Sequence, residues 1–217
     1  MPVNSLLLET SAHIASLRLD GGHLALDFVN TMGGSYELPP EPHDEFLRSY
    51  GDLLAWGVRT GFLEEAVAER LARAAEADPD EAETVLGEAI EQRQEAYAVL
   101  RALAEEREPP AEAVAGVEEQ ARRSLELAQL KPLDDGSYRW QWDHGDDLRS
   151  PLRPLAHATV ELLADAPLDR LKRCAGCRWL FLDASKNRSR HWCSMEECGT
   201  HAKKRRYVER RRAARRA

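Results

Sequence analysis

Cys174-Ala-Gly-Cys177, a gap of fifteen residues, then Cys193-Ser-Met-Glu-Glu-Cys198: this 25-residue stretch holds all four cysteines of a 217-residue chain, and its reading decides the architecture. Two sulfurs two residues apart reach one ion from a tight knuckle. A second pair a hairpin's length away completes a tetrahedron with no open position, so the spacing predicts a structural Zn(2+) site. Two disulfides are the alternative, and they belong to secreted chains. The opening residues, MPVNSLLLETSAHIASLR, carry no positive charge before Arg18 and an apolar run of only Leu6 to Leu8. That is not a signal-peptide pattern, and no stretch approaches the length of a membrane span. The expected location is the cytoplasm, where reduced thiols are available to metal.

Charge divides the chain in two. From Arg170 onward there are 16 Lys and Arg against 4 acids, a balance of +12, whereas the first 169 residues carry −20. A basic metal module attracts polyanions by counterion release, and an acidic domain is repelled by them. At this length the chain accommodates one substantial core and one small satellite. The expected fold class is α+β: a mainly α-helical N-terminal domain with a small antiparallel sheet over residues 1–168, and a C-terminal treble-clef-like zinc finger with a basic helix over 169–217.

Within the acidic part, Leu24, Leu26 and Phe28 alternate after the turn signal Gly21-Gly22, which favours a strand or short hairpin. The turn-rich segment GGSYELPPEPHD interrupts regular structure. Helical spacing of Phe46, Leu47, Tyr50, Leu53, Leu54 and Val58 predicts a helix from Glu45 to Arg59, followed by a short one from Leu63 to Ala77. Asp78-Pro79 caps and opens a long helix that ends before Pro109-Pro110. A further helix is expected over roughly 111–130. Tyr138, Trp140 and Trp142 alternate as a strand able to pair with the early one, and Ser150-Pro151 opens a last helix before the junction at Pro167.

In the basic part, Ala175 and Gly176 permit a tight knuckle, Arg178 to Asp183 reads as a strand, Ser185 to Ser189 as a polar turn, and the segment beyond Cys198 as a helix without Gly or Pro. Cys174-x2-Cys177, Phe181-Leu182-Asp183-x-Ser185, Arg188, Arg190, Trp192-Cys193-Ser194-Met195 and Cys198-Gly199, followed by Lys203 and Tyr207, resemble the CGNR zinc finger. Gly22-His23-Leu24-Ala25-Leu26-Asp27-Phe28-Val29-Asn30-Thr31 and Asp52-Leu53-Leu54-Ala55-Trp56 resemble the start of the ABATE domain that accompanies this finger in bacterial proteins. The resemblance implies a transcription regulator whose N-terminal domain senses a ligand and whose finger binds DNA. The tetrapeptide that names the finger is changed here: Thr200-His201 follows Cys198-Gly199 in place of Asn-Arg, which removes a permanent cation and its donor fork.

The candidate nucleic-acid contacts are Arg188, Arg190, Lys203, Lys204, Arg205, Arg206, Arg210, Arg211 and Arg212, with Arg215 and Arg216 beyond them. Charge alone carries no sequence preference. A solvated tail, or one docked on the chain's own acidic helices, is the plainer reading. Trp179, Phe181 and Trp192 suit either a stacking platform or the small core of a zinc module. His191 and His201 are surplus as ligands beside four cysteines. His23, Asp27, Asn30 and Trp56 are candidates to line a small-molecule pocket, with turn or helix capping by Asp27 and Asn30 as the alternative. Asn187, His191 and His201 do not form a nuclease signature, so no enzyme activity is expected. The runner-up function is a protein-interaction or RNA-binding zinc module without a regulatory DNA site. No heptad or other signal indicates an oligomeric state.

Overall fold

Gly22 sits at φ +79°, a backbone conformation that glycine adopts without strain, and turns the chain directly into a helix start. His23 is its N-cap: extended backbone, with Nδ1 accepting from the Ala25 N–H at 3.2 Å. The segment expected as a strand is therefore the helix Leu24–Val29. The apolar alternation misled because this short element is buried on several sides at once. Leu26 packs with Ala96, Leu100 and Leu162, while Phe28 packs with Trp56 and Leu155 in the neighbouring cluster. A short run buried all round has no helical stripe by which to recognise it.

The computed structural model describes residues 12–35, 41 and 44–214. The opening stretch before Ala12, most of the turn-rich segment, and Arg215 and Arg216 lie outside the described residues. Among these, the order is α1 (Ala12–Ser16), α2 (Leu24–Val29), α3 (Tyr50–Thr60), α4 (Glu65–Ala77), α5 (Pro79–Ala104), α6 (Ala111–Glu126), β1 (Ala128–Pro132), β2 (Tyr138–Trp142), α7 (Leu152–Asp165), β3 (Leu171–Arg173), β4 (Leu180–Leu182) and α8 (Thr200–Ala214). A mainly helical body with two small antiparallel sheets and a cysteine cluster at one end results. No helix among the described residues is long and apolar enough to cross a membrane.

Two expected boundaries and one expected strand pairing change. Helix α3 begins at Tyr50 rather than Glu45, because Ser49 caps it by accepting from the Asp52 N–H at 3.1 Å. Glu45 meanwhile turns inward to the buried Arg93. Helix α6 ends at Glu126, and the residues expected to continue it form β1, paired in register with β2 so that Leu130 faces Trp140 and Ala128 faces Trp142. The strand Tyr138–Trp142 thus pairs with its own neighbour and not with the helical segment 24–29. The long helix α5 matches expectation: the Asp78 side chain accepts from Glu81 N–H at 3.1 Å, and Pro79 occupies the first turn.

Helices α2, α5 and α7 pack around one apolar cluster, and Leu171 and Leu180 of the β3–β4 hairpin enter it. A second cluster around Trp56, Leu53, Leu54 and Leu71 takes in Trp179, Phe181, Cys174 and Cys193. The finger therefore has little apolar interior of its own and shares that of the body. Burying a side chain such as Leu180 or Phe181 completely contributes about 1.5–3 kcal/mol each.

Candidate metal centre and basic helix

The hairpin β3–β4 presents the knuckle Cys174–Cys177 at its tip, with the Cys174 N–H donating to Trp179 O at 2.9 Å and the Ala175 N–H to His191 O at 2.9 Å. The Gly176 N–H donates to Cys174 Sγ at 3.3 Å. A Cβ on Gly176 would lie 3.0 Å from the Cβ of Cys198, so any larger residue there would have to push the last ligand aside by a few tenths of an ångström. Ser194 caps the turn Met195–Gly199 that carries Cys198, its Oγ accepting from Glu196 N–H at 3.1 Å. A hairpin knuckle plus final ligands at a helix start is the treble-clef-like arrangement.

The four sulfurs all lie within 4.8 Å of one another. Cys177 and Cys193 Sγ are 3.6 Å apart, and Cys193 and Cys198 Sγ 3.7 Å. Four sulfurs at about 2.3 Å from a central zinc would be separated by about 3.8 Å, so the observed spacing suits zinc and not disulfides. Hydrogen bonds from the Cys177 and Cys193 thiols pull the Cys174 thiol far below its ordinary value, and the Cys174 contact pushes Cys177 up. Thiolates are the form that binds zinc. Arg18 Nη2 lies 3.8 Å from Cys193 Sγ and adds positive charge beside the sulfurs.

Asp183 anchors the loop between the ligand pairs. Its side chain is fully buried, with Oδ2 accepting from Lys172 Nζ at 2.7 Å and Arg190 N–H at 3.0 Å, and Oδ1 accepting from Ser185 N–H at 2.9 Å. Burial opposes its charge, yet the Lys172 and Ser185 bonds prevail and hold the carboxyl far below the usual range. This explains the Asp183-x-Ser185 pattern, whose structural task the residue types alone did not reveal.

Arg190, expected as a nucleic-acid contact, has its guanidinium engaged within the protein. Its guanidinium stacks on Phe181 at 4.3 Å, and it donates to the backbone oxygens of Trp192 at 3.0 Å, Asp20 at 3.4 Å and Cys193. Arg188 is exposed and pairs with Asp169 at 2.5 Å. Trp179 and Phe181 are core residues; Trp179 Nε1 donates to Met32 O at 3.2 Å. His191 and His201 are exposed, with His201 in the first turn of α8.

The four residues expected around a small-molecule pocket are dispersed into other tasks. Trp56 is fully buried between Phe28 and Phe62, with ring centroids at 5.7 and 5.5 Å. Asn30 bridges the body to the finger: its Nδ2 donates to Leu180 O at 2.8 Å and its Oδ1 accepts from Leu180 N–H at 2.9 Å. Asp27 Oδ1 accepts from the Gly21 N–H at 2.8 Å, and burial raises its pKa to about 6. His23 caps α2, with its pKa lowered by burial.

Lys203, Lys204, Arg205, Arg206, Arg210, Arg211 and Arg212 are all exposed along α8. Among the described residues none of them pairs with a carboxylate; Arg211 instead lies over Tyr207 at 5.7 Å. The acidic helices of the body do not mask this helix.

A four-sulfur cluster, half of it buried, at the root of an exposed basic helix defines a zinc-finger protein, with the finger seated on a helical body. The chain belongs to the ABATE family, described as a "putative stress-induced transcription regulator", which it matches over residues 22–166, and it carries a CGNR zinc finger over residues 170–211. No curated protein matches the chain.

Proposed function

We propose that the chain is a DNA-binding transcription regulator in which a zinc-ordered finger presents α8 to duplex phosphates and the helical body senses a ligand. The metal site is structural in this reading, since four sulfurs leave no open position for catalysis. The observation that carries it is the row of seven exposed, carboxylate-free cations between Lys203 and Arg212, held at one end by Cys198. At 15 residues α8 is about 22 Å long. Its like charges repel at spacings such as Arg206–Arg210, and phosphates would relieve that repulsion.

Titrating a fluorescent mixed-sequence duplex with the zinc-loaded protein at several salt concentrations tests this. Neutralising about five phosphates gives log affinity a slope near −4.5 against log salt. Replacing Lys203, Arg206 and Arg210 by Gln should flatten that slope by about three and leave thermal stability within about 0.5 kcal/mol. Absence of duplex binding at low salt, with single-stranded RNA or no nucleic acid bound instead, would reject the DNA reading.

A further inference from the structure

Where the finger meets the body there is a cavity of ≈ 310 Å³ whose lining includes the apolar Val29, Met32 and Ala98 and the cationic Arg93, Arg101 and Arg178, with Tyr97 beside them. We infer that this junction cavity is a binding site for a small amphipathic monocarboxylate. The assignment rests on the sensing role proposed above and supplies its ligand class.

The electrostatics of this corner run against the acidic body around it. Three arginines line the cavity, Arg93, Arg101 and Arg178. Glu45 is used up by Arg93, which it meets at 2.5 Å. Glu105 serves Arg101 at 3.2 Å, Arg173 at 3.4 Å and Arg107. Arg178 has no carboxylate partner among the described residues and lies over the Tyr97 ring, 5.6 Å from its centroid. A guanidinium on an aromatic face, with its donor fork free for a planar anion, suits a carboxylate. The walls of Val29, Met32 and Ala98 suit an apolar body on that anion, and the volume lies at the small end of ligand sites.

The position links ligand to finger. Arg178 follows the zinc ligand Cys177, and its backbone O accepts from Tyr97 Oη at 3.1 Å while its N–H donates to Gly34 O at 3.2 Å. Helix α5 and the knuckle thus meet at the residue that would hold the anion. A carboxylate there would restrain both together, which is a differential contact of the kind that couples two sites.

Calorimetry on the full-length zinc-loaded protein tests the site, with phenylacetate and octanoate as probes, phenylacetamide as the uncharged counterpart and inorganic phosphate as a bare anion. The expected result is carboxylate binding at least about tenfold tighter than the amide or phosphate, weakened about tenfold or more in Arg178→Gln. Gln94→Trp, at an exposed position on the cavity rim, should block binding with zinc content unchanged, and covers the case in which Arg178→Gln disturbs the finger. Absent binding, equal affinity for phenylacetamide, a preference for bare phosphate, or affinity unchanged in both variants would overturn the assignment. Duplex titrations with and without the bound probe separate the two ideas. A carboxylate held by Arg178 that leaves duplex affinity unaltered keeps the site and refutes sensing, whereas an effector that works equally in both variants keeps sensing and refutes the site.

Discussion

Strands β3 and β4 carry Leu171, Leu180 and Phe181 into the interior of the helical body, whereas α8 buries Ala202 alone among its described side chains. Both belong to one finger and meet at one set of sulfurs. The first half is stitched to the body by Asn30, by Trp179 donating to Met32 O, and by the Leu182 N–H donating to Gly21 O at 2.9 Å. The second half has cations all round and no apolar stripe, a pattern that packs against nothing in a folded domain. Under the proposed function, the difference separates scaffold from contact surface. Substitutions in the stitched half should cost stability, and those along α8 should cost nucleic-acid affinity alone.

Metal removal should have the largest effect and reach both halves. Structural zinc contributes about 10 kcal/mol or more to folding in isolated finger peptides, comparable to the whole stability of a domain. Because Cys174 and Cys193 lie in the same cluster as Trp179 and Trp56, chelation or Cys193→Ser should lower the melting temperature of the body and change tryptophan emission. An unchanged body transition after chelation would break the comparison and make the two parts independent.

Next in size is Glu45→Ala. Arg93, with 2 % of its side chain exposed, would lose its bidentate partner and keep, among the described residues, only Thr31 Oγ1 at 2.9 Å. Stranding a buried guanidinium costs about 3–5 kcal/mol, measurable by urea unfolding. Thr31 precedes Met32, whose oxygen accepts from Trp179, so the loss should also loosen the seat of the finger. Asn30→Ala comes third: two Leu180 backbone groups lose their partners, for about 2–4 kcal/mol. A cost under about 0.5 kcal/mol would show that water replaces Asn30 and that the stitch is dispensable.

The cysteine set was legible from sequence because its information is local: spacing alone brings the sulfurs together. So was α5, whose cap, proline and apolar period agree. Asn30 reads from sequence as a pocket or capping residue, and it does end the helix Leu24–Val29, but its side-chain partner Leu180 lies 150 residues away and no pattern pairs them. Arg190 looked like its basic neighbours, because composition reports charge and not the direction of a guanidinium. The segment 24–29 hides its helix for the opposite reason, having too many buried faces to show a period. The stitched half of the finger is thus the less legible one, being defined by partners distant in sequence, and the exposed half the more legible, being defined by composition.

The smallest effect concerns Asp27, which lies beside the Gly21 stitch. Burial is the main cause that raises its pKa to about 6, with the Gly21 N–H bond working the other way. A carboxyl whose folded pKa exceeds its unfolded one binds more protons folded, so its contribution to stability is present at low pH and is lost as pH rises between the two values. That window runs from the ordinary aspartate value, about 4, to about 6. Asp27→Asn keeps an oxygen to accept from Gly21 and cannot ionise. Its stability relative to the native chain should therefore improve from about pH 4 to about pH 6 and then level off, as followed by urea midpoints at each pH. A difference that stays flat across that window would mean that the ionised carboxylate remains well solvated, and that the edge of the stitched half is more open than its packing shows.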